Sequence, residues 1–98
     1  MTGEVISPEH AVNLATTLKA LADPARLRLL SLVRAHADHE ACVCELTGPV
    51  GLSQGTVSHH LKVLVDAGFL TRSKRGTWAY YAIVEDSLAT VAALITQS

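Results

Sequence analysis

The sequence predicts a mainly α-helical domain with one β-hairpin, a winged helix-turn-helix that dimerises through its first and last helices. Three observations carry that expectation. Apolar residues recur at helical spacing in four segments of the chain. A glycine- and proline-bearing breaker separates a short helix from a longer, serine-capped one. Two runs of β-formers near the C-terminus flank a basic tip that contains a glycine.

The elements follow in order. Ala11, Leu14, Ala15, Leu18, Leu21 and Ala22 place an amphipathic helix over about residues 9–22. Asp23-Pro24 starts the next helix, an N-cap followed by proline at the first helical position. That helix carries Leu27, Leu29, Leu30, Leu32 and Val33, apolar almost all round, which makes it central. A short helix over residues 42–46 then meets a breaker at residues 47–51, and Ser53 caps a helix running to about Asp66. On a wheel of about 100° per residue, Val57, Leu61 and Leu64 face inward while Gly55, Ser58, His59 and Lys62 cluster on the opposite side. His60 falls toward the buried side, as a core-edge histidine hydrogen-bonded to backbone. The hairpin tip is expected at residues 73–77, with Lys74 and Arg75 pointing outward because burying them costs solvation energy. Asp86 opens a last helix with Leu88, Val91, Ala92, Leu94 and Ile95 on one side. The outer helices hold more leucine than one small core needs, a sign of self-association.

At 98 residues and 10.4 kDa the chain is one domain, residues 1–98. Folding at this mass buries roughly 64% of the unfolded chain's surface, enough for one modest core and little room for a deep catalytic cleft. Apolar residues at 49% with 17% charged exclude disorder and coiled coil. Uncharged stretches such as residues 46–58 carry Gly, Pro, Ser, Thr and Gln, so no segment is expected to span a membrane. The first eight residues show no basic cluster followed by an apolar run, so no secretory signal is read there. Cys42 and Cys44 are separated by one residue. A disulfide between them would close a strained ring that staples nothing, which excludes a secreted disulfide scaffold and leaves a soluble cytoplasmic domain.

The net charge of −1 argues against a nucleic-acid partner, but its distribution does not. Residues 53–82 carry Lys62, Arg72, Lys74 and Arg75 against Asp66 alone, a local +3. Phosphate binding follows local charge rather than the total.

Several stretches together carry a resemblance. They are Ala20-Leu21-Ala22-Asp23-Pro24-Ala25-Arg26-Leu27, Ala41-Cys42-Val43-Cys44-Glu45-Leu46, Ser53-Gln54-Gly55-Thr56-Val57-Ser58-His59-His60-Leu61 and Arg75-Gly76-Thr77-Trp78-Ala79-Tyr80-Tyr81. With these the sequence resembles the ArsR/SmtB family of bacterial metal-responsive repressors, over about residues 12–95. The resemblance implies a homodimer joined through first and last helices, binding a double-stranded operator palindrome and releasing it when metal binds. The Cys-Val-Cys stretch looks like the arsenite-responsive members.

For DNA, Ser53, Gln54, Thr56, Ser58, His59 and Lys62 supply donors and acceptors that can read base edges in the major groove or hold phosphates. Lys74 and Arg75 on the wing are placed for backbone phosphate or a minor groove. A lone polar helix with these residues would be a plain solvated surface. The capped helix, glycine turn and cationic wing in sequence favour DNA binding instead. Gly55 stands where a proline is common in the family and weakens the helix start by up to ~1 kcal/mol.

Cys42 and Cys44 are the candidate metal ligands. Their thiolates suit As(III) or Sb(III) as inducer, with Zn(II), Cd(II) or Cu(I) also soft enough, and a helix N-terminus lowers a thiol's pKa. Two helical positions two apart point about 200° away from each other. Capture of one ion by both is therefore expected either in a frayed first turn or by unwinding it, which would distort the support of the reading helix. The plain alternative is Cys44 as a small core residue and Cys42 as an incidental surface thiol. Some arsenite responders carry a third cysteine three residues after the pair, where this chain has Thr47. His36 and His39 with the two cysteines have the composition of a two-sulfur, two-nitrogen zinc site.

A zinc, cadmium or thiol-oxidation sensor on the same scaffold is the alternative reading. A small thiol redox enzyme is a weaker one. No Cys-x-x-Cys, phosphate-cradling glycine loop or basic neighbour accompanies the cysteines, and Glu40 and Glu45 flank them instead. No nucleophile–base or paired-carboxylate arrangement emerges from the spacing, so an enzyme is not expected.

Overall fold

The computed structural model describes residues 5–96. Helix α1 (Pro8–Leu21) begins where Ser7 Oγ accepts the backbone N–H of His10 at 3.1 Å, with Pro8 in the first turn. Helix α2 (Pro24–Ala35) starts on Asp23, whose Oδ1 accepts the N–H groups of Ala25 at 2.8 Å and Arg26 at 3.1 Å. Leu29 and Val33, one turn apart, are fully buried, but Leu27 is 52% exposed. Helix α2 is therefore buried along one stripe rather than all round.

A short 3₁₀ turn at Ala37–His39 follows, in which Asp38 and His39 take left-handed backbone with φ of 60° and 52°. The chain then forms strand β1 (Glu40–Cys42), an element too short to announce itself by alternation. Helix α3 (Val43–Val50) runs through the Thr47-Gly48-Pro49 cluster expected to break it. The stop comes at Gly51 with φ 74°, whose N–H reaches the carbonyls of Thr47 and Gly48. Ser53 caps helix α4 (Gln54–Asp66) as expected, its Oγ accepting the N–H of Thr56 at 3.2 Å.

Strands β2 (Leu70–Arg75) and β3 (Trp78–Ile83) pair antiparallel, and β3 also pairs with β1, giving the order β1-β3-β2. The turn is only Gly76-Thr77, with Arg75 opposite Trp78. It is shorter than the expected tip, so Lys74 and Arg75 belong to the strand. Helix α5 (Ser87–Thr96) closes the described chain.

Leu29, Val33, Leu46, Val57, Leu61, Leu64, Phe69 and Leu70 form the core beneath the helix-turn-helix and the sheet. None of the residues of α5 is buried. The Cα radius of gyration is 15.1 Å, against about 13 Å for a compact domain of this length.

Side chains alternate across the sheet, and directly paired residues share a face. One face carries Ala41, Tyr81 and Ala79 with Arg72 opposite Tyr81 and Lys74 opposite Ala79. The other carries Glu40, Cys42 and Tyr80 with Ser73 and Arg75.

Candidate functional site

The polar side of α4 and the first face of the hairpin enclose an open cleft of about 590 Å³. Gln54, Ser58 and Lys62, spaced four apart along one stripe of α4, line one wall, and Arg72 and Lys74 line the other; Trp78, the strand partner of Arg75, also borders the cleft. Of the residues expected to meet DNA, the structure brings Gln54, Ser58, Lys62 and Lys74 together here. His59 is exposed on α4 outside the cleft. Ser53 and Thr56 sit at the helix start, where Ser53 Oγ donates to Thr56 Oγ1 at 2.9 Å as well as capping. Lys62 Nζ is held by Asp66 Oδ2 at 2.7 Å, both well exposed. Arg72 adds a cation that the expected DNA-reading set lacks; period-two alternation from Lys74 is the signal that places it on the same face.

Arg75 does not join them. It lies on the opposite sheet face, its Nη2 donating to Glu40 Oε2 at 2.7 Å and its guanidinium 4.6 Å from the centre of the Tyr80 ring. Both wing cations are exposed as expected, but the two-residue turn makes neighbours in the strand point to opposite sides of the sheet.

His60 is part-buried, but its partner is a side chain rather than backbone. Arg26 Nη1 donates to His60 Nδ1 at 3.2 Å, and since a guanidinium offers no acceptor, the ring proton resides on Nε2. Arg26 also donates through Nε to Ala20 O at 2.7 Å and through Nη2 to Lys19 O at 3.2 Å. One side chain thus ties the end of α1 and the start of α2 to α4. Asp23 beside it has its carboxyl held below the usual range, first by the N–H of Arg26, then by that of Ala25 and by the Arg26 charge.

Cys42 is the last residue of β1 and the N-cap of α3, with extended backbone (φ −74°, ψ 145°), and Cys44 lies in the first turn. The 200° divergence of two helical positions does not apply, because only one of the pair is in the helix. Their Cα atoms are 5.1 Å apart and the sulfurs join as a disulfide over the single residue Val43. Two expectations are thereby corrected: the pair straddles a strand–helix junction instead of sharing one helix, and it forms the disulfide that the sequence reading set aside. Burial is also the reverse of the plain alternative, with Cys42 at 1% exposure and Cys44 on the surface. Cys42 Sγ accepts the N–H of Cys44 at 3.1 Å, and Glu45 Oε1 accepts the N–H of Cys42 at 2.8 Å.

The histidines are engaged elsewhere. His36 Nδ1 lies 2.7 Å from Leu32 O with Nε2 3.7 Å from Glu45, and His39 Nδ1 lies 2.6 Å from Glu85 Oε2. The His39 hydrogen bond, aided by the charges of His39 and Arg34, holds the Glu85 carboxyl below its usual range. Among the described residues no three His, Cys, Asp or Glu side chains converge as metal ligands, so the four-ligand zinc arrangement is not formed. Only on reduction of the disulfide would the two sulfurs become thiolates.

Residues 23–72 match the family model described as the bacterial regulatory protein, arsR family. A putative arsenical resistance operon repressor, ArsR2, of Halobacterium salinarum is 42% identical over 85% of this chain and 68% of its own length. A transcriptional repressor SmtB homologue of Synechocystis is 37% identical over 85% of this chain and 61% of its own length. Among solved structures, a homodimeric winged helix-turn-helix DNA-binding domain from Mycobacterium bovis, described as a possible ArsR-family transcriptional regulator, superposes with a TM-score of 0.73. It is 28% identical over 97% of this chain and 87% of its own. No described helix is long and apolar enough to cross a membrane.

Proposed function

The chain belongs to the arsR family of bacterial regulatory proteins, and from that premise we propose a homodimeric cytoplasmic repressor that binds double-stranded operator DNA and releases it when Cys42 and Cys44 capture a thiophilic inducer. As(III) or Sb(III) is the first candidate, since two thiolates from one segment supply soft donors and no histidine joins them. Reading falls to Ser53, Gln54, Thr56, Ser58, His59 and Lys62 of the α4 segment, with Lys74 on the wing. Dimerisation through α1 and α5 is supported by the exposed apolar residues Leu18, Leu88 and Ile95 and by an α5 that its own chain leaves unburied.

The observation that carries the reading is the position of the sulfurs. Cys42 ends the strand that pairs with wing strand β3 and caps the helix that packs against α4. Inducer capture by this pair acts at the junction that joins β1 to the start of α3. Because both ligands act on the same junction, DNA lowers inducer affinity by the factor with which inducer lowers DNA affinity.

The test is a fluorescence titration of an operator–protein complex with As(III), Sb(III), Cd(II) and Zn(II) under reducing conditions. Wild type is expected to release DNA with arsenite, and Cys42→Ser and Cys44→Ser to bind DNA but hold it. Release by both variants would show that the pair is structural. Thiol oxidation is the second reading, favoured by the pairing of the sulfurs. Hydrogen peroxide would take two electrons from the two thiols, giving the disulfide and two waters, and DNA release by peroxide but not arsenite would select it.

A further inference from the structure

Helix α5 buries none of its residues against its own chain, although Val91 packs part-buried against the core. Its direction therefore depends on the segment that leads into it. Residues 84–87 form a local turn in which the N–H and Oγ of Ser87 both donate to Val84 O, at 3.0 and 2.8 Å. The Val84 N–H donates to Phe69 O at 3.0 Å, which moors the segment to the core at one point. Glu85 supplies a second point. Its Oε2 lies 2.6 Å from His39 Nδ1 and its Oε1 3.7 Å from Arg34 Nη1, so the segment is gripped from the 3₁₀ turn and from α2. A carboxylate only accepts, so His39 carries a proton on Nδ1. One mooring fixes a place, and two fix a direction.

The backbone that delivers His39 is unusual. Asp38 and His39 take left-handed φ one after the other, whereas residues with side chains visit that region as single residues. Such backbone persists where its surroundings hold it, and this turn brings His39 to Glu85 across 46 residues of sequence. We propose that His39 and Glu85 are a positioning pair that sets the direction of α5 and so readies it for the second protomer. The inference rests on the α1–α5 dimer of the proposed function and adds the residues that orient one half of it. The two side chains are 43% and 57% exposed, so the pair adds little to the stability of a single protomer. Its effect is preorganisation: without it α5 swings about the Val84 mooring and must be ordered when the partner docks. A dimer contains two such pairs, and their losses multiply.

The experiment measures the dimer dissociation constant of the full chain by sedimentation equilibrium, beside far-ultraviolet circular dichroism. His39→Gly suits the left-handed backbone but removes the donor, and Glu85→Ala removes the acceptor. Each is expected to raise the constant on the order of tenfold, since two exposed charged hydrogen bonds are lost per dimer, and to keep the helix content. His39→Asn is expected to stay near wild type, because its Nδ2 takes the place of the imidazole Nδ1 and asparagine tolerates left-handed backbone. A wild-type constant in either His39→Gly or Glu85→Ala overturns the proposal while leaving the dimer in place. So does a His39→Asn dimer as weak as that of His39→Gly, since donation to Glu85 would then not be what orients α5. A weaker dimer accompanied by lost helix content makes the pair merely structural and overturns the proposal too. Wild type that stays monomeric throughout removes the α1–α5 dimer and the pair together.

Discussion

Glu45 and Cys42 cap helix α3 reciprocally: Glu45 Oε1 accepts the Cys42 N–H at 2.8 Å, while the sulfur of Cys42 covers the N–H of Cys44 at 3.1 Å. The arrangement is a capping box with a cysteine sulfur where serine or threonine is usual. Serine is the better cap, so Cys42→Ser is expected to keep α3 and the fold while removing a soft ligand. Cys42→Ala, measured under reducing conditions, should be less stable than Cys42→Ser by about 1 kcal/mol, the ordinary cost of a missing N-cap. Urea unfolding of the two variants checks this. Equal stabilities would mean that an N-cap at position 42 contributes nothing to the helix start.

Arg26 is the second junction. Its donors reach Ala20 O, Lys19 O and His60 Nδ1, joining α1, α2 and α4 around a part-buried guanidinium. Hydrogen bonds to charged groups are worth more than neutral ones, and an unpaired carbonyl is costly where water is scarce. Arg26→Ala is expected to cost about 2 kcal/mol and His60→Ala about 1 kcal/mol. Because the two residues touch, the double variant should cost less than the summed singles. Additive losses in thermal or urea unfolding would deny the interaction.

Helices α2 and α4 were legible because each carries its own start signal: Asp23-Pro24 and Ser53 cap where their side chains imply. Two things were not. Strand β1 has three residues and exists only because β3 offers an unpaired edge, a long-range fact that local periodicity does not hold. Without that strand, helical spacing puts both cysteines on one helix and points their sulfurs in opposite directions. The wing was half legible. Gly76 marked the turn, but only the two-residue loop, with Arg75 opposite Trp78, decides that Arg72 and Lys74 share a face and Arg75 does not. Breaker chemistry misled at Pro49, since the left-handed Gly51 and not the proline ends α3.

Acid should weaken the fold through two carboxylates. Asp23 is held below the usual range chiefly by the N–H of Arg26, and Glu85 chiefly by its hydrogen bond from His39. A carboxyl with a lowered folded pKa stabilises the protein above its unfolded value and loses that contribution as pH falls through the folded one. Stability is therefore expected to hold at neutral pH from these groups and to decline below about pH 4, where unfolded carboxyls take up protons first. Asp23→Asn isolates the charge, because asparagine caps a helix as well as aspartate does. Its unfolding free energy should fall less steeply on the acid side than that of wild type. An unchanged acid limb would mean that Asp23 acts as a cap alone.

The last prediction concerns the outer helices. Leu88 at 55% exposure and Ile95 at 53% lie on one helical face, seven residues apart on α5, which buries none of its residues against its own chain. Leaving such a stripe in water forfeits about 1.5–3 kcal/mol for each large side chain that a partner could cover. Leu88→Asp or Ile95→Asp places a charge where the second protomer would sit, and an unpaired charge in an apolar interface is strongly unfavourable. Light scattering behind a sizing column should show wild type as a dimer and either variant shifted toward monomer. The secondary structure by circular dichroism should be kept, since neither position belongs to the monomer core. DNA affinity should fall with dimerisation, because one protomer presents one reading helix and a palindrome needs two. A variant that stays dimeric, or a monomer that binds the operator as tightly as wild type, would remove α5 from the proposed assembly.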